Sequence, residues 1–406
     1  MTEATPATLA PDALADVLVD APFARLVATD DGDALAAAGL LARALRAVGT
    51  PFQVRVSRDP VPDDLDDGVA VTVGIDRGPH AITGQGRPAS TDAFAVSRAL
   101  GVDPDPVVAL AGVVAAGSVP GTDGSGDALD AAESSGRVHR RPGVALPTAD
   151  LADGLAASTL LRLPYSGDSE AARAALAELD LPADLDEDAH RRLASLVAVD
   201  IADADGASTR AASAVERALR PYATDGPFQT VGGYADVLDA LALEAPGTGV
   251  ALALDPSPSD DLRTAALDAW RSHGVAAHRA LDAATTGRYD GCVVARVDAT
   301  RPVLPTVARL VRDFRSPEPV AVAVDESAGR LAVAATEPVG VGDACRSTAS
   351  EFDGTGWGTA ARGGIAVGSV TDATDTGDAN DADATGRREN AGGDITSALA
   401  ALREAL

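Results

Sequence analysis

The sequence predicts an α/β protein of two domains, the first built on a parallel sheet, and three observations carry that expectation. Its 406 residues exceed what one ordinary hydrophobic core organises, so two domains are the default. From Leu26 to Val56 the chain reads as strand, acidic turn, helix and strand, the unit that builds a parallel sheet and presents its loop at the carboxyl end of the strand. Near Asp225 the texture changes, and a second series of alternating apolar runs and helical stripes begins.

In the opening unit, the apolar run of Phe23, Leu26 and Val27 stops at Asp30, Asp31 and Asp33. A helical stripe follows (Leu35, Gly39, Leu40, Leu45, Val48), then Gly49-Thr50-Pro51 and the alternating Phe52, Val54 and Val56. Two carboxylates one residue apart in such a loop can face one hard cation. Acids at a helix start also serve as caps and complement the helix dipole, so both readings stand here.

Val69 to Ile75 is a β-branched run ending in Asp76, the pattern of a buried parallel strand. Asp76 is thereby expected at the same sheet edge as Asp31 and Asp33. Ser90–Leu100 and Asp105–Gly117 read as helices. The cluster from Arg137 to Arg141 is either a solvated turn or a phosphate contact. Three amphipathic helices are expected over Asp150–Leu163, Ser169–Leu179 and Asp188–Val199; the acids of Asp200–Gly206 lack the closing Glu of a calcium loop.

Beyond Asp225, Thr230 opens a helix through Leu243, followed by an expected strand Val250–Leu254 and helix Asp260–His273. Strand Asp290–Val297, helix Pro305–Phe314 and strands Val320–Asp325 and Arg330–Ala335 complete the second unit. It closes in the glycine-rich run Asp353–Gly364, whose successive amides near Arg362 could face a phosphate or simply make turns. Thr371–Gly386 lacks periodicity and reads as a disordered linker. Asp394 then caps a helix with Ile395, Leu399, Leu402 and Leu406 on one face, expected to dock on its own domain. The expected division is 1–222, 223–370, an acidic linker 371–392 and a terminal helix 393–406.

The formal charge is −28 and every basic side chain among Lys and Arg is Arg. Abundant Asp and missing Lys resemble the proteins of an extreme halophile, whose charge keeps them in solution. At molar salt the Debye length is about 3 Å, so net acidity does not exclude a nucleic-acid partner. Aromatic residues make up only 3%, leaving few platforms for stacking bases. Cys292 and Cys345 make neither a metal spacing nor a disulfide framework, which suits a reducing cytoplasm. No apolar run is long enough to span a bilayer, and no membrane role is expected.

Taken together, roughly residues 20–370 resemble the DHH phosphoesterase superfamily, specifically its archaeal RecJ-like branch. Asp31-Gly-Asp33-Ala-Leu is similar to the first motif, Asp76 to the second, and Ser90–Leu100 with Pro106–Gly117 to the helices after the third. Thr230–Leu243 resembles the segment opening the DHH-associated domain, and Gly356-Trp-Gly-Thr359 stands in place of its Gly-Gly-Gly-His signature. The resemblance implies a DHH domain with two manganese ions, a smaller α/β DHH-associated domain gripping single-stranded DNA or RNA, and a cleft between them that hydrolyses phosphodiesters. It also implies metal ligands at Asp31, Asp33 and Asp76, with His80 near the place of the Asp-His-His motif. Nucleic-acid contacts are implied at Gly356, Gly358, Thr359 and Arg362, joined by the basic Arg140 and Arg141.

The departures are specific. Val27 stands where the first motif has a leading His, the Asp-His-His itself is missing, Ala116 or Gly117 replaces a later Asp, and Thr359 replaces the signature His. Three carboxylates provide one weak Mn2+ site at best. The resulting expectation is a replication or repair factor with weak or lost hydrolysis, binding single-stranded nucleic acid or the GINS and MCM proteins of the fork. The alternative is an active manganese-dependent exonuclease using Asp31, Asp33, Asp76 and His80. A third, a binding module for nucleotide signals, requires a closed pocket.

Overall fold

The computed structural model describes residues 10–59, 67–182, 185–203, 209–255, 257–299, 302–367 and 394–406. The expected linker 371–392 and most of the Pro- and Asp-rich turn after Asp59 lie outside the described residues. Contacts divide the chain into two compact units, one of residues 1–200 with 215–274, the other of 201–214 with 275–406.

The first unit begins with helix α1 (Pro11–Asp20), strand β1 (Ala24–Ala28), helix α2 (Gly32–Val48) and strands β2 (Phe52–Val56), β3 (Val69–Val73) and β4 (Ala81–Ile82). The four strands form one sheet in the order β2-β1-β3-β4, all parallel, with Leu26 level with Val54 and Val71. At the β2 edge Gln53 and Arg55 are exposed, which explains the alternation there. The central strand β1 is almost wholly buried, as a parallel strand covered on both faces must be.

Helices α3 (Ala89–Ala99), α4 (Pro106–Ala115) and α5 (Gly126–Ser134) follow, then strand β5 (Val138–Arg140), α6 (Leu151–Ala157), α7 (Ser169–Ala177), α8 (Glu187–Ala202) and α9 (Thr209–Ala218). Strand β6 (Tyr222–Thr224) pairs antiparallel with β5. Next come α10 (Val231–Glu244), α11 (Pro246–Leu254) and the long α12 (Asp260–Ala283), within which the division between the units falls.

The expected apolar stripe on α2 is in fact buried on nearly every side, from Gly32 through Ala42 and again at Ala44 and Leu45. Helices α3, α4, α10 and α11 all pack against it. At Gly39 a Cβ would lie 2.5 Å from that of Ala253. Small residues here are the condition for four helices to share one central partner. This packing also accounts for a difference from the expected domain boundary at 222/223: α10 and α11 belong to the first unit. Residues 250–254, expected as a strand, complete α11, because Pro246 is at the helix start and Leu252 and Ala253 are buried.

The second unit continues with β7 (Thr285–Tyr289), β8 (Cys292–Arg296), α13 (Leu304–Leu310), a wider π turn at Val311–Arg315, β9 (Val320–Asp325), β10 (Arg330–Ala335), α14 (Val341–Glu351), β11 (Thr355–Gly358) and β12 (Arg362–Ala366). Its six-stranded sheet runs β11-β12-β10-β9-β8-β7 and is antiparallel except for the β8–β9 pair. The terminal helix, 394–405, docks on this unit as expected, with Ile395, Leu399 and Leu402 in one core with Val322, Leu331 and Ile365. Arg403 lies 3.5 Å over the Tyr289 ring. No described helix is long and apolar enough to cross a membrane.

Candidate functional site

The turn after β1 is fixed by its own side chains. Asp31 is the N-cap of α2, with extended backbone, and accepts from the Ala34 amide at 2.9 Å. The Thr29 hydroxyl donates to its other carboxylate oxygen. Both Asp31 and Asp33 are buried, at 6% and 5% exposure.

Asp33 has a different and less local task. Helix α3 is preceded by Pro88, whose side chain offers no cap. Asp33 supplies that cap from the first turn of α2, accepting from the Ala89 amide at 2.6 Å and the Ser90 amide at 2.9 Å. Burial, reinforced by the neighbouring Asp31 charge, pushes the Asp33 carboxyl up to about 7, although its bonds from Ser90 and Ala89 pull the other way. Between them sits Gly32, whose amide donates to Asp239 Oδ1 at 2.9 Å. A Cβ on Gly32 would lie 2.6 Å from that oxygen and 2.9 Å from the Ala115 Cβ, so the turn admits only glycine.

Asp76 lies three residues beyond the end of β3 and is half-buried. The intervening Gly74 has φ of 88°, and a Cβ there would meet the Thr29 hydroxyl at 2.1 Å, so the chain turns sharply where β1 and β3 end together. His80 is half-buried, and its carbonyl accepts from the Thr72 amide at 3.0 Å while its Nδ1 has no hydrogen-bond partner. Among the described residues, no group of three or more His, Cys, Asp or Glu side chains is placed to hold one metal ion. The donor set of a two-manganese centre is therefore not gathered here, and Asp31 and Asp33 present their oxygens to hydroxyl and amide donors.

Of the expected nucleic-acid contacts in this unit, Arg140 is exposed at the end of β5. Its guanidinium lies 4.5 Å over the Tyr222 ring and donates to the Arg220 carbonyl at 3.3 Å. Arg141 turns toward His190, Nη1 to Nε2 3.2 Å. Burial lowers both groups from their ordinary values, and for His190 the Arg141 charge adds to it while Asp186 opposes.

In the second unit, Gly356, Gly358, Thr359 and Arg362 make the β11–β12 hairpin. Its backbone is already engaged: the Gly342 amide donates to the Thr359 carbonyl at 2.7 Å, the Thr359 amide to the Arg362 carbonyl at 2.7 Å, and Arg346 Nη1 to the Gly358 carbonyl at 3.1 Å. A Cβ at Gly356 would lie 2.2 Å from the Cys345 carbonyl oxygen. The glycines let β11 lie directly against α14. Arg362 is exposed at the start of β12.

Sequence reasoning passed over two acids of α10. Asp239 holds the Gly32 amide. Asp236, fully buried, accepts from the Thr159 hydroxyl at 2.5 Å, the Thr159 amide at 3.1 Å and Trp270 Nε1 at 2.9 Å. An Asp at an inward position of a predicted apolar helix was the available signal, since burial of an acid demands partners.

Residues 284–404 match the protein family described as Uncharacterized protein rrnAC1427, C-terminal domain. A relative from Haloarcula marismortui, Uncharacterized protein rrnAC1427, is 50% identical over 367 residues, spanning 89% of this chain and 93% of that protein. Among solved structures, CDC45 from Entamoeba histolytica superposes with a TM-score of 0.53 at 8% identity, covering 94% of this chain and 97% of that one. Exonuclease RecJ bound to manganese gives 0.48 at 12% identity over 97% and 96%. The likeness to CDC45 shows the fold.

Proposed function

We propose that this chain, which belongs to the family of rrnAC1427 from Haloarcula marismortui, is a RecJ-like replication or repair factor that binds single-stranded nucleic acid or the GINS and MCM proteins. The observation that carries the reading is the use of Asp33. A carboxylate at a motif position of the phosphoesterase resemblance spends both oxygens capping α3, and a cap is a structural task. Asp31 does the same for α2. The fold likeness to CDC45 is in keeping with a scaffold retained for binding. Under this reading the Arg362 hairpin end and Arg140 meet phosphates, and hydrolysis is weak or lost. The setting is a cytoplasm of high salt, which the charge of −28 tolerates.

The test is a single-strand binding and cleavage assay of the full chain at molar KCl with manganese, on labelled DNA and RNA, alongside co-purification with GINS. Binding or GINS association without cleavage is the expected result. Manganese-dependent cleavage that Asp76→Asn abolishes would replace this reading with the exonuclease. Asp76 is the mutation of choice because it is half-buried, whereas Asp31 and Asp33 hold helices.

A further inference from the structure

In a chain this acidic, many arginines lie beside a carboxylate. Arg43 and Arg137 both pair with Asp105, Arg58 with Asp30, Arg77 with Asp59 and Arg271 with Asp153. One cleft of the first unit gathers two arginines that do not. It is open to solvent, has a volume of about 40 Å3 and is lined by Arg140, Arg217 and Arg220 with Glu216, Tyr222 and the backbone at Gly232. Among the described residues, Arg140 and Arg220 form no ion pair; the contacts of the Arg140 guanidinium are the Tyr222 ring and the Arg220 carbonyl. Three guanidinium groups thus line one small concavity with a single carboxylate, inside a molecule of net charge −28.

Two further features set the same spot apart. Arg220 adopts φ of 53°, the left-handed region that a non-glycine residue enters at a cost. The conformation is fixed by its amide, which donates to the Gly143 carbonyl, and by the β5–β6 pairing that follows. The cleft also takes in Val231 and Gly232, the first two residues of α10, so the positive end of that helix adds to the guanidinium charge. The Arg140 guanidinium is already placed over the Tyr222 ring, which reduces what ordering it would cost on binding.

We infer that this cleft binds a phosphate monoester, its dianion received by Arg140 and Arg220. The planar forks of arginine match phosphate oxygens and make charge-assisted bonds at contact range, where molar salt screens least. The space is too small for a folded partner and suits a single phosphate group, with the remainder of the ligand outside it. The ligand is a free mononucleotide or the terminal phosphate of a nucleic-acid strand. The inference goes beyond the proposed replication role, because it stands whether or not the chain holds the body of a single strand.

Calorimetric titration of the full chain at molar KCl tests it, with inorganic phosphate, adenosine 5′-monophosphate, and one DNA oligonucleotide carrying either a 5′-phosphate or a 5′-hydroxyl. Variants are Arg140→Gln and Arg220→Asn, the latter because Asn tolerates the left-handed backbone and preserves the fold; an unchanged thermal midpoint verifies this. Saturable binding of a phosphate-bearing probe, weakened about tenfold or more in either variant, supports the site. Preference for the mononucleotide then identifies a free ligand, and preference for the phosphorylated oligonucleotide over its hydroxyl twin identifies a strand end. No saturable binding of any phosphate-bearing probe, or binding unchanged in both variants, overturns it. Failure of the replication reading appears separately, as loss of binding by the hydroxyl-ended strand and of GINS association.

Discussion

Asp33 joins two helices that are far apart in sequence, and its replacement has a calculable consequence. Asp33→Ala leaves the Ala89 and Ser90 amides buried and unpaired. The expected loss is about 1–3 kcal/mol in chemical denaturation at molar KCl. Asp33 also makes stability pH-dependent. Its folded carboxyl is raised to about 7, above the unfolded 3.8, so the folded chain holds the proton more tightly. The contribution is complete below the unfolded value and is lost as pH rises through about 7. Stability at fixed salt is expected to fall across that window, and Asp33→Asn to flatten the slope. An unchanged slope in the variant would remove Asp33 as its source.

At the scale of elements, the glycine run of β11 separates a structural from a binding role. Gly356→Ala drives a Cβ to 2.2 Å from the Cys345 carbonyl oxygen, so β11 must lift from α14. The expected result is a lower thermal midpoint of the second unit, measured by calorimetry; a variant as stable as the parent would release Gly356 for phosphate contact. The terminal helix offers a parallel test. Leu402 is fully buried among strands of the six-stranded sheet, and Leu402→Ala is expected to cost about 2–5 kcal/mol. Hydrogen exchange should show faster opening at β8 and β9, whose Val294 and Val322 share that core. Retained protection there would mean that the helix is an optional cover.

For the whole molecule, 61 acids against 33 arginines make salt a structural variable. Moving from molar KCl to about 0.1 M lengthens the Debye length from about 3 to about 10 Å, and repulsion across the surface is no longer confined to contact range. The thermal midpoint is expected to drop steadily along that dilution. A midpoint independent of KCl would contradict the reading of this composition as an adaptation to salt.

The sequence by itself determined the α/β class, the β1–α2–β2 unit, the strands β9 and β10 and the amphipathic terminal helix. Each of these is written in local periodicity, where neighbouring side chains decide which face is buried. It also placed Asp31 at a helix start, because a cap acts within three residues of itself. Only the tertiary structure decided what Asp33 does, since its partners lie 56 and 57 residues away and Pro88 left an end that some distant acceptor had to fill. The same holds for the burial of α2 on nearly every side, which made a helix of residues 250–254 and carried α10 and α11 into the first unit. It holds for the cationic cleft too: Arg140 and Arg220 stand 80 residues apart, and no spacing rule joins them. Charges and caps become sites only when the chain brings their partners within a few ångströms, and that distance is a property of the packed core rather than of the local pattern.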